Sequence, residues 1–247
     1  MLTTIDLNCD MGEGLDTDAG IMPFISSANI ACGYHAGDHD TITRTIALAQ
    51  EHQVAIGAHP GFADKANFGR TPQHLSDDAL YDLIAGQLQV MQSACRTLGA
   101  VMTHVKPHGA LYNMAAVDPV MSRVIAKAVK DTDPALRLYG LSSSWLIKAA
   151  AEAGLHTASE VFADRTYQDD GTLTPRSQPG ALIANEEQAI QQVLQMVTQQ
   201  TVTTLSGRSI PLTAETICLH GDGPHALPFA RAIHAALRRH HFSIQHI

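Results

Sequence analysis

Short β-rich runs alternate along this chain with stretches whose apolar residues recur at helical spacing, and that alternation restricts its fold more than any other feature. The runs cover residues 3–7, 28–32, 54–58, 102–106, 137–141, 157–162 and 216–219, seven strand candidates in all. The stretches between them carry helix-end signals. Ser76 followed by Asp77 and Asp78 opens a helix with Leu80, Leu83, Ile84, Leu88, Met91, Cys95 and Leu98 on one face, and Gly99 closes it. Asp118-Pro119 starts another, Asn185 with Gln188 three residues later opens a third, and a last helix follows Pro224. Strands joined through helices pair in parallel by crossover connections.

A closed barrel and an open doubly wound sheet both satisfy this pattern, and the placement of polar residues separates them. Every strand except the fifth runs into charged or imidazole side chains at its C-terminal end, which suits a barrel mouth fed by many strands. The expected fold is therefore α/β, a seven-stranded parallel barrel in one domain over residues 1–247. The length agrees, since one α/β barrel takes ~250 residues. With 45% hydrophobic and 16% charged residues, the chain can bury a sizeable core. Two segments depart from the repeat. Residues 163–184 exceed an ordinary βα loop and, with Arg165, Tyr167 and Arg176, are a candidate lid. Residues 201–215 read as a hairpin inserted around Ser206-Gly207.

A net charge of −8 argues against a nucleic-acid partner, because that affinity comes mainly from Lys and Arg on phosphates. Arg238-Arg239 reads as a solvated helix end. Cys9, Cys32, Cys95 and Cys218 form no CxxC pair and fit reduced thiols. No run approaches ~18 apolar residues, and MLTTIDLNCD holds no basic n-region, so no membrane span and a cytoplasmic location are expected. Neither GxxxxGK[ST] nor a strand-following GxGxxG occurs, so the usual nucleotide cradle is absent. No GxSxG elbow occurs either, and Ser142-Ser143-Ser144 reads as a helix cap.

The strand ends supply the chemistry. The first gives Asn8, Asp10 and Glu13, the second Asn29, His35, Asp38 and His39, and the third His59. The fourth gives Lys106 and His108, the sixth Glu160, Asp164 and Arg165, and the seventh His220, Asp222 and His225. Each competes with a structural role. Asp38 and Asp40 precede a helix and suit an N-cap equally well, His39 suits a solvated helix face, and Cys9, Cys32 and Cys218 suit packing. Lys106 closes an apolar strand, so it would be buried and need a partner. His35 and His39 have i, i+4 spacing and could join Asp10 around a metal, but Gly37 between them argues against a regular helix there. An acid/base site with a cation is the reading that remains, with a metal left open.

Six motifs, LNCDMGEG, NIACGYHAGD, GAHPGF, VKPHGALYN, EVFADRTY and LHGDGPHA, in this order and spread from residue 5 to about residue 240, are together similar to the LamB/YcsF family. The resemblance implies a barrel of the glycoside hydrolase/deacetylase type. It also implies work as the A component of an ATP-dependent 5-oxoprolinase, which with subunits B and C opens 5-oxoproline to L-glutamate while ATP becomes ADP and phosphate. ATP would then be handled with the partner subunits. On that reading Asp10, His35, His59, Lys106 and His220 are the catalytic candidates, and Asn8, Glu13, His108, Glu160, Arg165 and Asp222 the substrate-binding ones. Lys106 or Arg165 would supply the cation, Asp10 or His59 the base, and His35 or His220 the proton donor. In the related deacetylases an acidic motif and an HxxxH motif bind a metal, which Asp10, His35 and His39 match in part. Two alternatives stand beside this: a self-sufficient metal-dependent amide or sugar hydrolase, and a non-catalytic subunit that binds the small acid.

Overall fold

The computed structural model describes residues 3–221 and 226–247. Its first strand, β1 (Thr3–Met11), is buried from Ile5 onward and has two unlike faces. Ile5, Leu7, Cys9 and Met11 join the hydrophobic core. Asp6, Asn8 and Asp10 instead reach Tyr139, Glu160 and Lys106 across the barrel. Strand side chains alternate between faces, so this period of two puts a polar column on the barrel axis and an apolar one against the helices.

The chain continues through a short α1 (Asp18–Ile21), β2 (Ser27–Ala31), α2 (His39–Glu51), β3 (Ala55–His59), α3 (Asp77–Thr97) and β4 (Met102–Val105). It then runs through α4 (Gly109–Val117), α5 (Pro119–Thr132), β5 (Arg137–Leu141), α6 (Trp145–Glu152) and β6 (His156–Phe162). After α7 (Glu186–Gln199) come β7 (Thr201–Thr203), β8 (Ser209–Pro211), β9 (Thr216–Leu219), α8 (Ala226–Arg239) and β10 (Phe242–Ile244). Strands β1 to β6 pair in sequence, β6 pairs with β9, and β9 returns to β1, every pairing parallel. The result is the closed seven-stranded barrel expected from the strand ends.

Helix caps also follow the sequence signals. Ser76 accepts from Ala79 N–H, Asp118 from Val120 and Met121 N–H, Asn185 from Gln188 N–H, and Ser144 from Ile147 N–H. Gly99 has φ +64 just past α3, and β7 with β8 forms the inserted hairpin, with Ser206-Gly207 in its loop. The expected start of the last helix at Pro224 lies outside the described residues. An addition to the expected fold is β10, which pairs with Thr3–Ile5 of β1 below the ring.

The lower barrel is polar as well as the mouth. Asp6 accepts hydrogen bonds from Ser26, Ser27, Tyr139 and Thr216 hydroxyls at 2.6, 2.6, 3.0 and 2.6 Å. One step higher, His104 lies on the Tyr139 ring and its Nε2 meets Asn29 Oδ1 at 3.0 Å. Gly57 makes that placement possible, because a Cβ there would come within 2.1 Å of His104 Nε2.

Candidate active site

Lys106 stands where β4 ends, and it is 2% exposed. Its Nζ donates to Asp10 Oδ1 at 2.8 Å and to Cys218 Sγ at 2.9 Å, and lies 3.0 Å from Glu160 Oε1. Asn8 sits underneath and donates to Glu160 Oε1 and Thr216 Oγ1, while Asn29 donates to Asn8 and Asp10. An ammonium with three acceptors and carboxylates with matching donors can stay charged inside a barrel. Burial disfavours ionised Asp10, but the charges of His59 and Lys106 hold its carboxyl well below the usual range. Burial likewise disfavours charged Lys106, and Asp10 and Glu160 outweigh it, so the ammonium persists well above its ordinary pKa.

A second group adjoins this one. His59, at the end of β3, donates from Nδ1 to the Lys106 carbonyl at 2.7 Å, and its Nε2 lies 3.3 Å from Asp10 Oδ2 and 3.0 Å from His108 Nδ1. His108 Nε2 donates to the Phe68 carbonyl at 2.8 Å. His35 stacks on His108 with ring centres 3.8 Å apart, and Glu13 Oε1 lies 3.5 Å from both His35 Nε2 and His108 Nδ1. Burial lowers the pKa of His35 to about 3 and that of His108 well below the ordinary imidazole value, so both rings are neutral near pH 7.

On the opposite side, His220 after β9 points Nδ1 at both Asp164 oxygens, 2.9 Å away. Arg165 is buried, donates from Nη2 to the Thr174 carbonyl, and keeps a buried Nε without a hydrogen-bond partner. Burial and nearby Arg176 bring its pKa down to about 10, so it stays cationic at neutral pH. Asp10, His59, Lys106, His108, Arg165 and His220 line one cavity of about 660 Å³ at the barrel mouth. Residues 163–184 form one wall of it, held by bridges of Arg165 to Leu182 and Tyr167 to Leu173 and by the Phe162 N–H to Tyr167 hydroxyl bond.

Of the residues singled out in the sequence, Asn8 and Glu160 lie beneath the cavity and hold Lys106, and Glu13 and His35 stand behind His108. Asp222 and His225 lie outside the described residues. His39 is a correction. It is exposed at the first turn of α2 and takes no part in the His35 cluster. Gly37, at φ +72, turns the chain, and Asp38 then caps α2 by accepting from Thr41 N–H, so His35 stays in the loop while His39 starts a helix. The i, i+4 spacing therefore never lies on one helical face. Cys218 also departs from the expected packing role, since it contacts Lys106 and joins Asp10 and His220, whereas Cys9 and Cys32 only approach backbone carbonyls. His104, Phe68 and the bridging role of Asn29 are additions that the strand-end motifs do not point to. For His104 a signal exists: it precedes Lys106 and His108 at steps of two, the spacing of one strand face.

The pattern of the LamB/YcsF family matches residues 5–247. The A subunit of the 5-oxoprolinase of Brevibacillus brevis is 53% identical over 241 residues, which cover 96% of this chain and 95% of that one. The lactam utilization protein of Thermus thermophilus, a crystal structure, superposes with a TM-score of 0.93 at 38% identity, over 99% of this chain and all of the other. A peptidoglycan N-acetylglucosamine deacetylase catalytic domain from Eubacterium rectale shares the fold at 12% identity, with a TM-score of 0.56 over 100% of this chain and 89% of that one. With the family pattern matching residues 5–247 and a relative 53% identical to it over 96% of its length, this chain belongs to the LamB/YcsF family.

Proposed function

We propose that the chain acts as the A component of an ATP-dependent 5-oxoprolinase, opening 5-oxo-L-proline to L-glutamate together with subunits B and C. The observation that carries this reading is the cavity's pairing of an unsatisfied buried guanidinium edge, Arg165 Nε, with a carboxylate held ionised at Asp10. A small acid whose reacting carbonyl sits on the same ring as its carboxylate needs both features.

Lactam opening is slow because nitrogen donates into the carbonyl. Phosphorylation of the carbonyl oxygen by ATP, with ADP leaving, makes C5 electrophilic. Water then adds to C5, losing its proton to Asp10. The C5–N bond breaks with its electron pair going to nitrogen, which takes a proton from His220, while the C5 hydroxyl re-forms a carbonyl and releases its proton to water; Asp164 orients the imidazole. The product is an acyl phosphate, which a second water cleaves to L-glutamate and phosphate. Arg165 holds the substrate carboxylate, and Lys106 keeps Asp10 ionised and aimed. The chain lacks a phosphate-binding loop motif, so ATP is assigned to the complex with B and C.

Turnover of the reconstituted three-component mixture tests these roles. Asp10→Asn, confirmed as folded by circular dichroism, is expected to lose at least about 100-fold in kcat. Wild-type turnover by that variant would remove Asp10 from the mechanism.

A further inference from the structure

We infer that Arg176, beside Arg165 at the cavity mouth, is a subsite for a phosphoryl group carried by the lactam, so that this chain takes the phosphorylated lactam as well as the free acid. The identity of this ligand rests on the proposed 5-oxoprolinase role. Its chemical class is a small ring bearing two anionic groups, a carboxylate and a phosphoryl.

Charge at the mouth runs against the charge of the chain. The chain carries −8 overall, yet its cavity is lined by four cationic side chains, Arg70, Lys106, Arg165 and Arg176, and by two carboxylates, Asp10 and Asp170. Asp10 is engaged by Lys106 at 2.8 Å. Asp170 turns to its own loop, accepting from the Thr172 N–H and hydroxyl at 2.9 and 2.6 Å, and Asp164 nearby is engaged by His220. Of the three guanidiniums, Arg70 lies over the Phe68 ring, 4.8 Å from its centre. Arg165 and Arg176 are left with a single substrate carboxylate to share. A concave wall of one sign focuses the field and draws in ligands of the opposite charge.

The two arginines themselves supply a separate observation. Arg165 is 4% exposed, and its buried Nε has no hydrogen-bond partner. Arg176 is exposed and makes no hydrogen bond or ion pair among the described residues. After burial, the charge of Arg176 is what most disfavours the Arg165 cation, so two like charges stand close together. Guanidinium forks match carboxylate and phosphate oxygens, often in bidentate pairs, and one anionic group at each removes the repulsion. Volume agrees with two groups. The cavity measures about 660 Å³, within the ~300–1,000 Å³ that encloses drug-sized ligands, and a single five-membered ring leaves much of it unfilled.

The wall that carries both arginines is fixed before any ligand arrives. Arg176 sits in a turn closed by the Gln178 N–H to Pro175 carbonyl bond at 2.9 Å, and Thr166 Oγ1 donates to Thr174 Oγ1 and the Gly180 carbonyl. The inserted hairpin clasps the same segment. Asp169 Oδ1 accepts from the Thr204 and Ser206 hydroxyls at 2.6 Å each, its Oδ2 lies 3.3 Å from Arg208 Nη1, and the Leu205 N–H donates to the Tyr167 carbonyl at 2.8 Å. A wall already in place spares a ligand the cost of ordering it.

Calorimetry on the full chain alone tests this with 5-oxoproline, with ATP and Mg²⁺, and with 4-phosphonobutyrate, which carries a carboxylate and a non-hydrolysable phosphonate on one short chain. One equivalent of 4-phosphonobutyrate is expected to bind at least about 10-fold tighter than 5-oxoproline and to displace it. Arg176→Gln should erase that gain, weakening 4-phosphonobutyrate about 10-fold and 5-oxoproline much less, whereas Arg165→Met should weaken both. The exposure of Arg176 keeps its replacement from disturbing the core. The inference is overturned if 4-phosphonobutyrate binds no tighter than 5-oxoproline, or if Arg176→Gln preserves the difference. It is equally overturned if ATP displaces 4-phosphonobutyrate, which would assign the phosphoryl position to the nucleotide. Binding needs no turnover, so tight uptake of 4-phosphonobutyrate by a chain that supports no glutamate release keeps the subsite and contradicts only the 5-oxoprolinase role.

Discussion

Lys106 Nζ lies 2.8 Å from Asp10 Oδ1, with both residues buried on the barrel axis and Glu160 Oε1 3.0 Å from the same nitrogen. One cation thus balances two buried carboxylates, Asp10 at the floor of the cavity and Glu160 beneath it. Removing it leaves both uncompensated, and breaking a buried pair in this way costs about 3–5 kcal/mol. Lys106→Met should therefore lower the urea midpoint by that equivalent. The double variant Lys106→Met/Asp10→Asn should recover part of the loss, because it removes one orphaned charge. No recovery in the double variant would mean that the pair is not what holds these groups.

Acid should destabilise the fold early. His35, His104 and His108 all have folded pKa values below the ordinary imidazole value, chiefly because burial penalises the charged ring, with His35 at about 3. The unfolded chain therefore takes up protons first as pH falls, and stability is lost from about pH 6.5 downward, a loss that for His35 levels off near 3. Each histidine contributes a slope of about 1.4 kcal/mol per pH unit. Chelator-treated protein unfolded in urea at pH 7.5 and 5.5 should show the decline, and His104→Gln should make it shallower. An identical slope in that variant would show that His104 is already charged in the native barrel.

Gly57 is a packing requirement. A Cβ at this position would come within 2.1 Å of His104 Nε2, and His104 cannot retreat without leaving Tyr139 and Asn29. Overpacking of this kind costs about 1–3 kcal/mol, so Gly57→Ala should lower Tm by several degrees. Gly57→Ala combined with His104→Ala should be more stable than Gly57→Ala alone if the clash is the cause. Thermal unfolding of the three proteins checks it.

Arg165 is expected to act on binding more than on chemistry. Arg165→Met in the reconstituted complex should raise KM for 5-oxoproline by about 10-fold or more, the worth of a charge-assisted bond, with a smaller change in kcat. A fall in kcat at unchanged KM would move Arg165 from substrate holding to the reacting atoms.

The barrel is legible in the sequence because each strand is a local apolar run and most of the longer helices carry their own caps, signals that neighbouring residues settle among themselves. Asp38, Ser76, Asp118 and Asn185 cap where their spacing indicates. The mouth residues are legible for a related reason, since parallel strands deliver their C-terminal ends to one rim. Partnership across the barrel is not. His59 and His108 are 49 positions apart, and Lys106 and Cys218 are 112 apart, so only closure and register bring them into contact. Spacing instead favours His35 with His39, and the turn at Gly37 with the cap at Asp38 separates them. Strand β10 escapes a pattern search because three residues after a helix give too short a signal.

Glutamate release from 5-oxoproline, measured with this chain alone and with subunits B and C, each with and without ATP, tests the proposed function most directly. Glutamate is expected only in the complete mixture with ATP, and none when this chain is omitted or replaced by Asp10→Asn. Glutamate from this chain alone without ATP, or from B and C without this chain, would contradict the proposal.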